Sequence, residues 1–121
     1  MQIKVSELSG IALDWAVAKV EGKDIIQILR DNGNTALTIE CYDGFNGFFD
    51  YSPSTDWSQG GPIIERDAIW LGYLDGIPAA HKHIDVKYLN TGPTPLIAAM
   101  RCYVASELGG VVDVPDELME D

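Results

Sequence analysis

The sequence is poor in cysteine and lacks long apolar runs. Its two cysteines, Cys41 and Cys102, lie among apolar residues without CxxC spacing, which predicts buried thiols in a reducing cytoplasm rather than a disulfide framework. No run approaches the roughly 18 apolar residues that a membrane-spanning helix needs. The first residues also lack the basic segment followed by an apolar one that marks a secretion signal. These absences predict a soluble cytoplasmic protein that contacts no membrane.

Basic residues are scarce as well. Eight lysines and arginines stand against 19 aspartates and glutamates, which gives a net charge of −11. Such a surface repels nucleic acid and anionic lipid, so we expect no direct binding to nucleic acid. Six acids follow Arg101, the last basic residue: Glu107, Asp113, Asp116, Glu117, Glu120 and Asp121. This acidic end is either a solvating tail or a surface that faces a basic partner or imitates DNA.

The motifs of common catalytic sites are missing. The sequence contains no GxxxxGK phosphate loop, no GxGxxG, no GxSxG and no HExxH. The nearest metal-ligand pattern is His81, His83 and Asp85 on one predicted strand, but ligands on a straight strand converge poorly. We therefore predict no metal site, no cofactor and no enzymatic activity.

The chain has enough residues for one domain and two apolar helices. Its 121 residues suit a single domain over residues 1–121 that hides about two-thirds of its surface on folding. The first helix begins after a cap at Ser6 or Ser9 and runs to about Glu21, where Gly22 is available to end it.

The second predicted helix lies near the other end of the chain. Pro93 and Pro95 suit its first turn, after Thr91 or Thr94 as the cap, and two glycines follow its last residue, Leu108. Both helices carry apolar side chains around much of their circumference. We expect them to pack against the sheet and also to offer an interface for a homo-oligomer.

The other apolar runs predict strands. Asn32 and Gly33 provide the tight turn of a hairpin between the first two of them, and Gly44 to Pro62 is predicted as an aromatic-rich loop region. The predicted strands are Ile25–Leu29, Ala36–Tyr42, Ile63 with Ile64, Ala68–Leu74, His81–Leu89 and Val111–Val114. The sequence thus predicts an α+β domain in which two main helices pack on a mixed or antiparallel sheet of four or more strands.

The segment 51–66 has the ingredients of a site for a nucleotide-like ligand. Its aromatic rings offer stacking faces, its short polar side chains suit ribose hydroxyls, its paired glycines let backbone N–H groups approach a phosphate, and arginines balance the charge. A helix N-terminus near Thr91 adds N–H groups that attract anions. The candidate ligand-binding residues are Tyr51, Thr55, Asp56, Trp57, Gly60, Gly61, Arg66, Thr91 and Arg101.

The same segment also suits a purely structural role. Residues 53–56 then form a capped turn, Trp57 is a core residue, and the two glycines before Pro62 redirect the chain. The residues leave both interpretations open.

Three blocks of the chain resemble a known family. They are VSELSG, ALDWAVA and EG within residues 5–22, then YSPSTDW and GGPIIER within 51–66, and GPTPLIAAMR through LG within 92–109. Together they resemble the phage NinX-like family of small proteins. The resemblance implies a phage accessory protein that acts in the host cytoplasm, and it implies no reaction.

Two functions suit such a protein. By analogy with small phage proteins that blunt host defences, it binds and sequesters a nucleotide-derived small molecule such as a host immune signal. The alternative is an acidic protein-interaction module, or a DNA mimic, that inhibits a host nucleic-acid-binding protein.

Overall fold

The computed structural model describes residues 1–30, 37–42, 47–82 and 85–119. It has three α-helices and three antiparallel sheets, which confirms the predicted α+β class. The elements are β1 (Gln2–Lys4), a 3-10 turn (Val5–Glu7), α1 (Gly10–Glu21), β2 (Asp24–Arg30), β3 (Leu37–Tyr42), β4 (Phe48–Asp50), α2 (Trp57–Arg66), β5 (Ile69–Leu74), β6 (Ile77–Lys82), β7 (Asp85–Thr91), α3 (Pro95–Leu108), β8 (Val111–Asp113) and a second 3-10 turn (Asp116–Met119).

The two predicted helices begin and end at the signals in the sequence. Ser9 is the residue before α1, and Gly22 ends that helix in a left-handed conformation with φ of 70°. Thr94 precedes α3, and its hydroxyl oxygen accepts the backbone N–H of Ile97 at 3.1 Å. Gly109 follows the last residue of α3. Of the alternative caps, Thr94 caps α3 with its side chain, whereas Ser9 occupies the cap position of α1 without a side-chain hydrogen bond.

The core forms between α1, α3 and the sheets. Helix α3 packs against α1 and against all three strands β5, β6 and β7. Leu13, Val17, Met100 and Val104 are completely buried. Most apolar side chains of these helices are packed inside the chain, so few of them are available to the predicted homo-oligomer interface. Cys41 and Cys102 are free and buried, as predicted.

The strands form three small sheets rather than one sheet of four or more strands. Their orders are β2-β3-β4, β5-β6-β7 and the pair β1-β8. Strands β2 and β3 pair antiparallel as the predicted hairpin, although its Asn32-Gly33 turn lies outside the described residues. The short strand predicted at Val111 is also confirmed, since Val112 pairs with Ile3. The two three-stranded sheets pack on different helices, since α1 contacts β3 whereas α3 contacts β5, β6 and β7.

Two strand predictions are wrong. The run from His81 to Leu89 is not one strand, because the chain reverses after β6 so that Lys82 pairs with Asp85 of β7. Ile63 and Ile64 belong to α2 instead of a strand, because Asp56 caps a helix there. Its side chain accepts the backbone N–H of Ser58 at 2.9 Å.

The predicted loop region therefore contains both a strand and the start of a helix. Within the described part of Gly44 to Pro62, β4 pairs with β3 and α2 begins at Trp57. Two glycines and Pro62 within α2 hid the helical pattern, since these residues are unfavourable inside helices. None of the helices in the described part of the chain is both long enough and apolar enough to cross a bilayer.

Candidate functional site

The segment 51–55 is anchored on α1. The backbone N–H of Ser54 donates to Oδ1 of Asp14 at 2.8 Å, and both residues are buried. Burial raises the pKa of Asp14 to about 6, and the hydrogen bonding from Ser54 partly opposes this shift. Gln59 closes the segment from the other side, because its Oε1 accepts the N–H of Ser52 at 2.7 Å and its Nε2 donates to the carbonyl oxygen of Asp50 at 2.9 Å.

The two aromatic residues of the segment lie in different environments. Tyr51 is only 4% exposed, and its ring packs edge-on against Phe49 with centroids 6.1 Å apart. The stacking role suggested for Tyr51 is therefore not open to it. Trp57 is 52% exposed, so it is not the core residue that the structural interpretation predicted.

Trp57 borders a small cavity between two helix starts. The cavity has a volume of about 190 Å³, and α2 and α3 both begin beside it. It is lined by Ser54, Thr55, Trp57 and the four residues Thr94–Ile97. The structure thus brings Thr55 and Trp57 together with the beginning of α3. The Asp56 carboxylate is committed to Ser58, whose N–H and hydroxyl both donate to its Oδ1.

The two predicted phosphate-binding glycines, Gly60 and Gly61, differ in the space around them. A Cβ atom on Gly60 would lie 2.4 Å from the carbonyl oxygen of Pro53 and 2.7 Å from Cδ1 of Leu96, whereas one on Gly61 would meet nothing closer than Trp57 at 4.0 Å. The N–H of Gly60 donates to the carbonyl of Asp56 at 2.9 Å. Gly60 therefore allows α2 to pack closely, and its N–H is not available to an anion.

Arg66 is held by side chains of this chain. Its guanidinium donates to both carboxylate oxygens of Glu21, at 3.1 and 2.6 Å, and to Asp67 at 2.9 Å. It also donates to the hydroxyl of Tyr103 at 3.1 Å, and that hydroxyl donates to Glu21. The hydrogen bonds from Arg66 lower the pKa of Glu21. The contacts link the C-terminal ends of α1 and α2 to α3, so Arg66 is a structural link rather than a free phosphate donor.

Arg101 is also committed. Its Nε donates to the carbonyl oxygen of Leu8 at 2.7 Å, and its Nη1 donates to the carbonyl oxygen of Thr91 at 2.8 Å. Burial lowers the pKa of Arg101. Thr91 is the last residue of β7 and not a helix cap. The two predicted arginines and Thr91 thus serve contacts within the protein.

A larger groove lies elsewhere, between β7, the first 3-10 turn and the end of α3. Its volume is about 530 Å³, against about 190 Å³ for the cavity beside Trp57. We call it the basic groove; it is lined by Lys4, Val5, Ser6, Lys87, Tyr88, Leu89, Asn90, Ala105, Ser106, Gly109 and Gly110. None of the described residues in its lining is an aspartate or a glutamate, although the chain holds 19 acids. The hydrogen bond from the N–H of Val5 to the carbonyl of Gly110, 2.9 Å long, closes one side.

Sequence reasoning missed the basic groove. Lys4 and Lys87 are far apart in the chain and belong to no motif, so only the folded arrangement brings them to one cavity. Within the groove, Nζ of Lys87 lies 5.4 Å from the centre of the Tyr88 ring. The amide of Asn90 donates to the carbonyl of Tyr88 at 3.2 Å.

Within the described residues, no three His, Cys, Asp or Glu side chains are grouped so that they could hold a metal ion. Of the histidine pattern considered above, His83 lies outside the described residues. His81 and Asp85 belong to different strands, β6 and β7. The ring of His81 lies beside Trp70 with centroids 5.5 Å apart.

A comparison with curated proteins finds no match to the chain. A comparison with family models does find one. The model described as "Bacteriophage P22, NinX" matches residues 4–107, which include all three blocks that carry the resemblance except the end of the last. The chain belongs to the phage NinX family.

Proposed function

We propose that this phage protein is a non-enzymatic binding protein that sequesters an anionic small molecule with a planar ring, such as a nucleotide-derived host immune signal, in the basic groove. The observation that carries the proposal is the charge of the lining, which among the described residues has two lysines and no carboxylate in a chain with a net charge of −11. Lys4 and Lys87 bring basic side chains to this groove, whereas the net charge of the chain repels anions.

The remaining lining residues suit a nucleotide-like molecule. Tyr88 offers an aromatic ring, and Ser6 offers a hydroxyl. Asn90 and Ser106 donate to the carbonyls of Tyr88 and Tyr103, and their oxygens remain able to accept hydrogen bonds. The volume of about 530 Å³ lies within the roughly 300–1,000 Å³ of small-molecule sites, whereas the cavity beside Trp57 is smaller than this range. The basic groove, rather than the segment 51–66, is therefore the proposed ligand site.

The composition of the groove supports binding without turnover. Among the described residues, its lining has no imidazole, thiol or carboxylate, groups that often act as general acids, bases or nucleophiles. The ligand should therefore leave the protein chemically unchanged.

A thermal-shift screen tests the proposal. The purified protein is heated with AMP, ADP-ribose, and cyclic di- and trinucleotides, each in separate samples. A ligand present at 100 times its Kd adds about 2.7 kcal/mol of stability, which raises the Tm of a domain of this size by several degrees. Lys4→Ala and Lys87→Ala should each reduce the shift strongly. Lys19→Ala is the matched control, because Lys19 is an exposed lysine on α1 that does not line the groove.

Each outcome has a definite meaning. A shift that survives both lysine substitutions and disappears in Trp57→Ala would return the site to the start of α2. The absence of any shift would reject small-molecule sequestration, and the acidic interaction module would then be the function to test. Mass spectrometry of the ligand released by denaturation tests the non-enzymatic part, since a chemically altered ligand would contradict it.

A further inference from the structure

The β5–β6 hairpin is the most apolar exposed feature among the described residues. After Ile69, every residue through Ile77 is exposed. We call residues 70–77 the hairpin arm. Its large apolar residues are Trp70, Leu71, Tyr73, Leu74 and Ile77, and each is between 43% and 70% exposed. Apolar surface of this extent usually marks a contact with another macromolecule.

The arm is held in a defined hairpin. Asp75 and Gly76 have φ angles of 51° and 79°, the left-handed values that a tight two-residue turn requires. Leu74 pairs with Ile77 directly beside the turn. Trp70 and Tyr73 lie on opposite faces of β5, because side chains alternate along a strand. The arm therefore presents apolar residues on both faces and not only on one.

The two edge strands of this sheet differ in whether they carry residues that prevent pairing with another strand. Both β5 and β7 are edges, since the strand order is β5-β6-β7. Strand β7 contains Asp85 and Lys87, whereas β5 has the sequence IWLGYL with no charged residue and no proline. Natural proteins place charges or prolines on free edges to prevent unwanted pairing. Because β5 lacks this protection, its edge is the one of the two that suits pairing with a strand of another chain.

Charge favours a second copy of this chain as the partner. The protein as a whole has a net charge of −11, so two copies repel each other. Residues 69–91, which contain all three strands of the sheet, hold two acids, Asp75 and Asp85, and two bases, Lys82 and Lys87. This sheet is therefore neutral, and two copies can approach through it without adding the repulsion that the rest of the surface would cause.

The exposed apolar area of the hairpin arm is also large enough to contribute to a dimer interface. At their fractional exposures, the five large residues of the arm offer on the order of 450 Å². A standard interface buries about 800 Å² on each partner. The arm alone thus supplies more than half of what a stable dimer needs, before backbone and flanking residues are counted.

We propose that two copies of the protein associate by antiparallel pairing of their β5 strands. A two-fold axis through the middle of β5 joins the two three-stranded sheets into one of six strands. The apolar side chains of β5 then contact their cross-strand neighbours on the partner strand, and the free edge of β5 disappears. Such an interface is self-complementary, as two-fold symmetry requires.

The test is the molar mass in solution, measured by light scattering after size exclusion and by sedimentation equilibrium. The wild-type protein should have twice the chain mass of 13.2 kDa, and Tyr73→Lys should have the chain mass. Val86→Lys is the matched control, because Val86 is a 63% exposed apolar residue on the opposite edge strand. That variant should remain a dimer. Circular dichroism and thermal unfolding verify that each variant folds.

Cross-linking gives a second readout that does not depend on a destabilising charge. A Cβ atom on Gly72 meets no atom within 4 Å, so Gly72→Cys should fold normally. A short bis-maleimide should join two copies of this variant, but not of Val86→Cys.

A wild-type mass of 13.2 kDa at low and high micromolar concentration would overturn the proposal and assign the arm to a different protein. Dissociation by Val86→Lys but not by Tyr73→Lys would overturn it as well.

Discussion

Ser54 and Asp14, forty positions apart in the chain, are joined by a hydrogen bond of 2.8 Å from the backbone N–H of Ser54 to Oδ1 of Asp14. Both residues are buried. A carboxylate placed inside a helix of the core is costly unless it has such a partner. The bond fixes the turn before α2 to the middle of α1, and it places two of the blocks that carry the family resemblance in direct contact.

This buried carboxylate predicts a pH dependence of stability. The pKa of Asp14 is raised to about 6 in the folded protein, against about 3.9 in an unfolded chain. Between about pH 4 and pH 6 the folded state holds the proton more tightly, so this group stabilises the protein at low pH and its contribution of about 3 kcal/mol is lost as pH rises. Asp14→Asn should remove this slope.

The measurement is urea unfolding of both proteins at several pH values across that window. The free energy of unfolding of the variant minus that of the wild type should rise with pH by about 3 kcal/mol. Parallel curves for the two proteins would contradict the prediction, because other carboxylates affect both proteins alike.

Gly60 and Gly61 form a matched pair of positions in one helix. Gly60→Ala places a Cβ atom 2.4 Å from a backbone carbonyl oxygen, so it should lower the free energy of unfolding by about 1–3 kcal/mol. Gly61→Ala has space and gains helix propensity, so it should raise stability by up to about 1 kcal/mol. Chemical denaturation of the two variants checks the prediction, and equal effects would contradict it.

Arg66→Met should lower stability by about 1–2 kcal/mol, because it removes the contacts with Glu21, Asp67 and Tyr103 while Arg66 itself is half exposed. Arg66 lowers the pKa of Glu21, so this stabilisation exists above the unfolded pKa of glutamate and disappears as pH falls through the folded value. A double-mutant cycle with Glu21→Gln measures the coupling. Additive effects of the two substitutions would show that the pair is not coupled.

Arg101 distinguishes a structural from a ligand-binding role. Arg101→Met leaves the carbonyl oxygens of Leu8 and Thr91 without their donor, so the free energy of unfolding should fall by about 2 kcal/mol or more. Lysine has one compact donor group and should restore only part of this loss. If Arg101→Met instead abolished ligand binding with an unchanged free energy of unfolding, Arg101 would be a binding residue.

Local signals predicted the parts of the fold that depend on neighbouring residues. The start of α1 after Ser9, the cap at Thr94, the left-handed Gly22 and the pairing of β2 with β3 all follow from short stretches of sequence. Helix α2 was missed because the glycines and Pro62 within it resemble a loop. The β5–β6 turn was missed although Asp75-Gly76 between apolar residues is a hairpin signal.

The candidate site was harder to predict because a residue type does not reveal its partners. Arg66 and Arg101 suit a phosphate in sequence, but carboxylates and carbonyls distant in the chain already engage them. Gly60 resembles a flexible position, whereas its small size serves packing against Leu96. The basic groove depends on the approach of residues 4–6 to β7 and has no local signature.

The pairing of β1 with β8 limits the order in which the chain can fold during synthesis. Ile3 pairs with Val112, and α1 packs against α3, which begins at Pro95. Strand β1 has no partner until β8 is synthesised, and α1 lacks its contact with α3 until the last quarter of the chain follows, although β3 and Ser54 contact α1 earlier. Closing such a long loop is slow. We therefore expect the part of α1 that packs on α3 to stay uncovered through most of translation, and the chaperone dependence of this small protein to be concentrated in that interval.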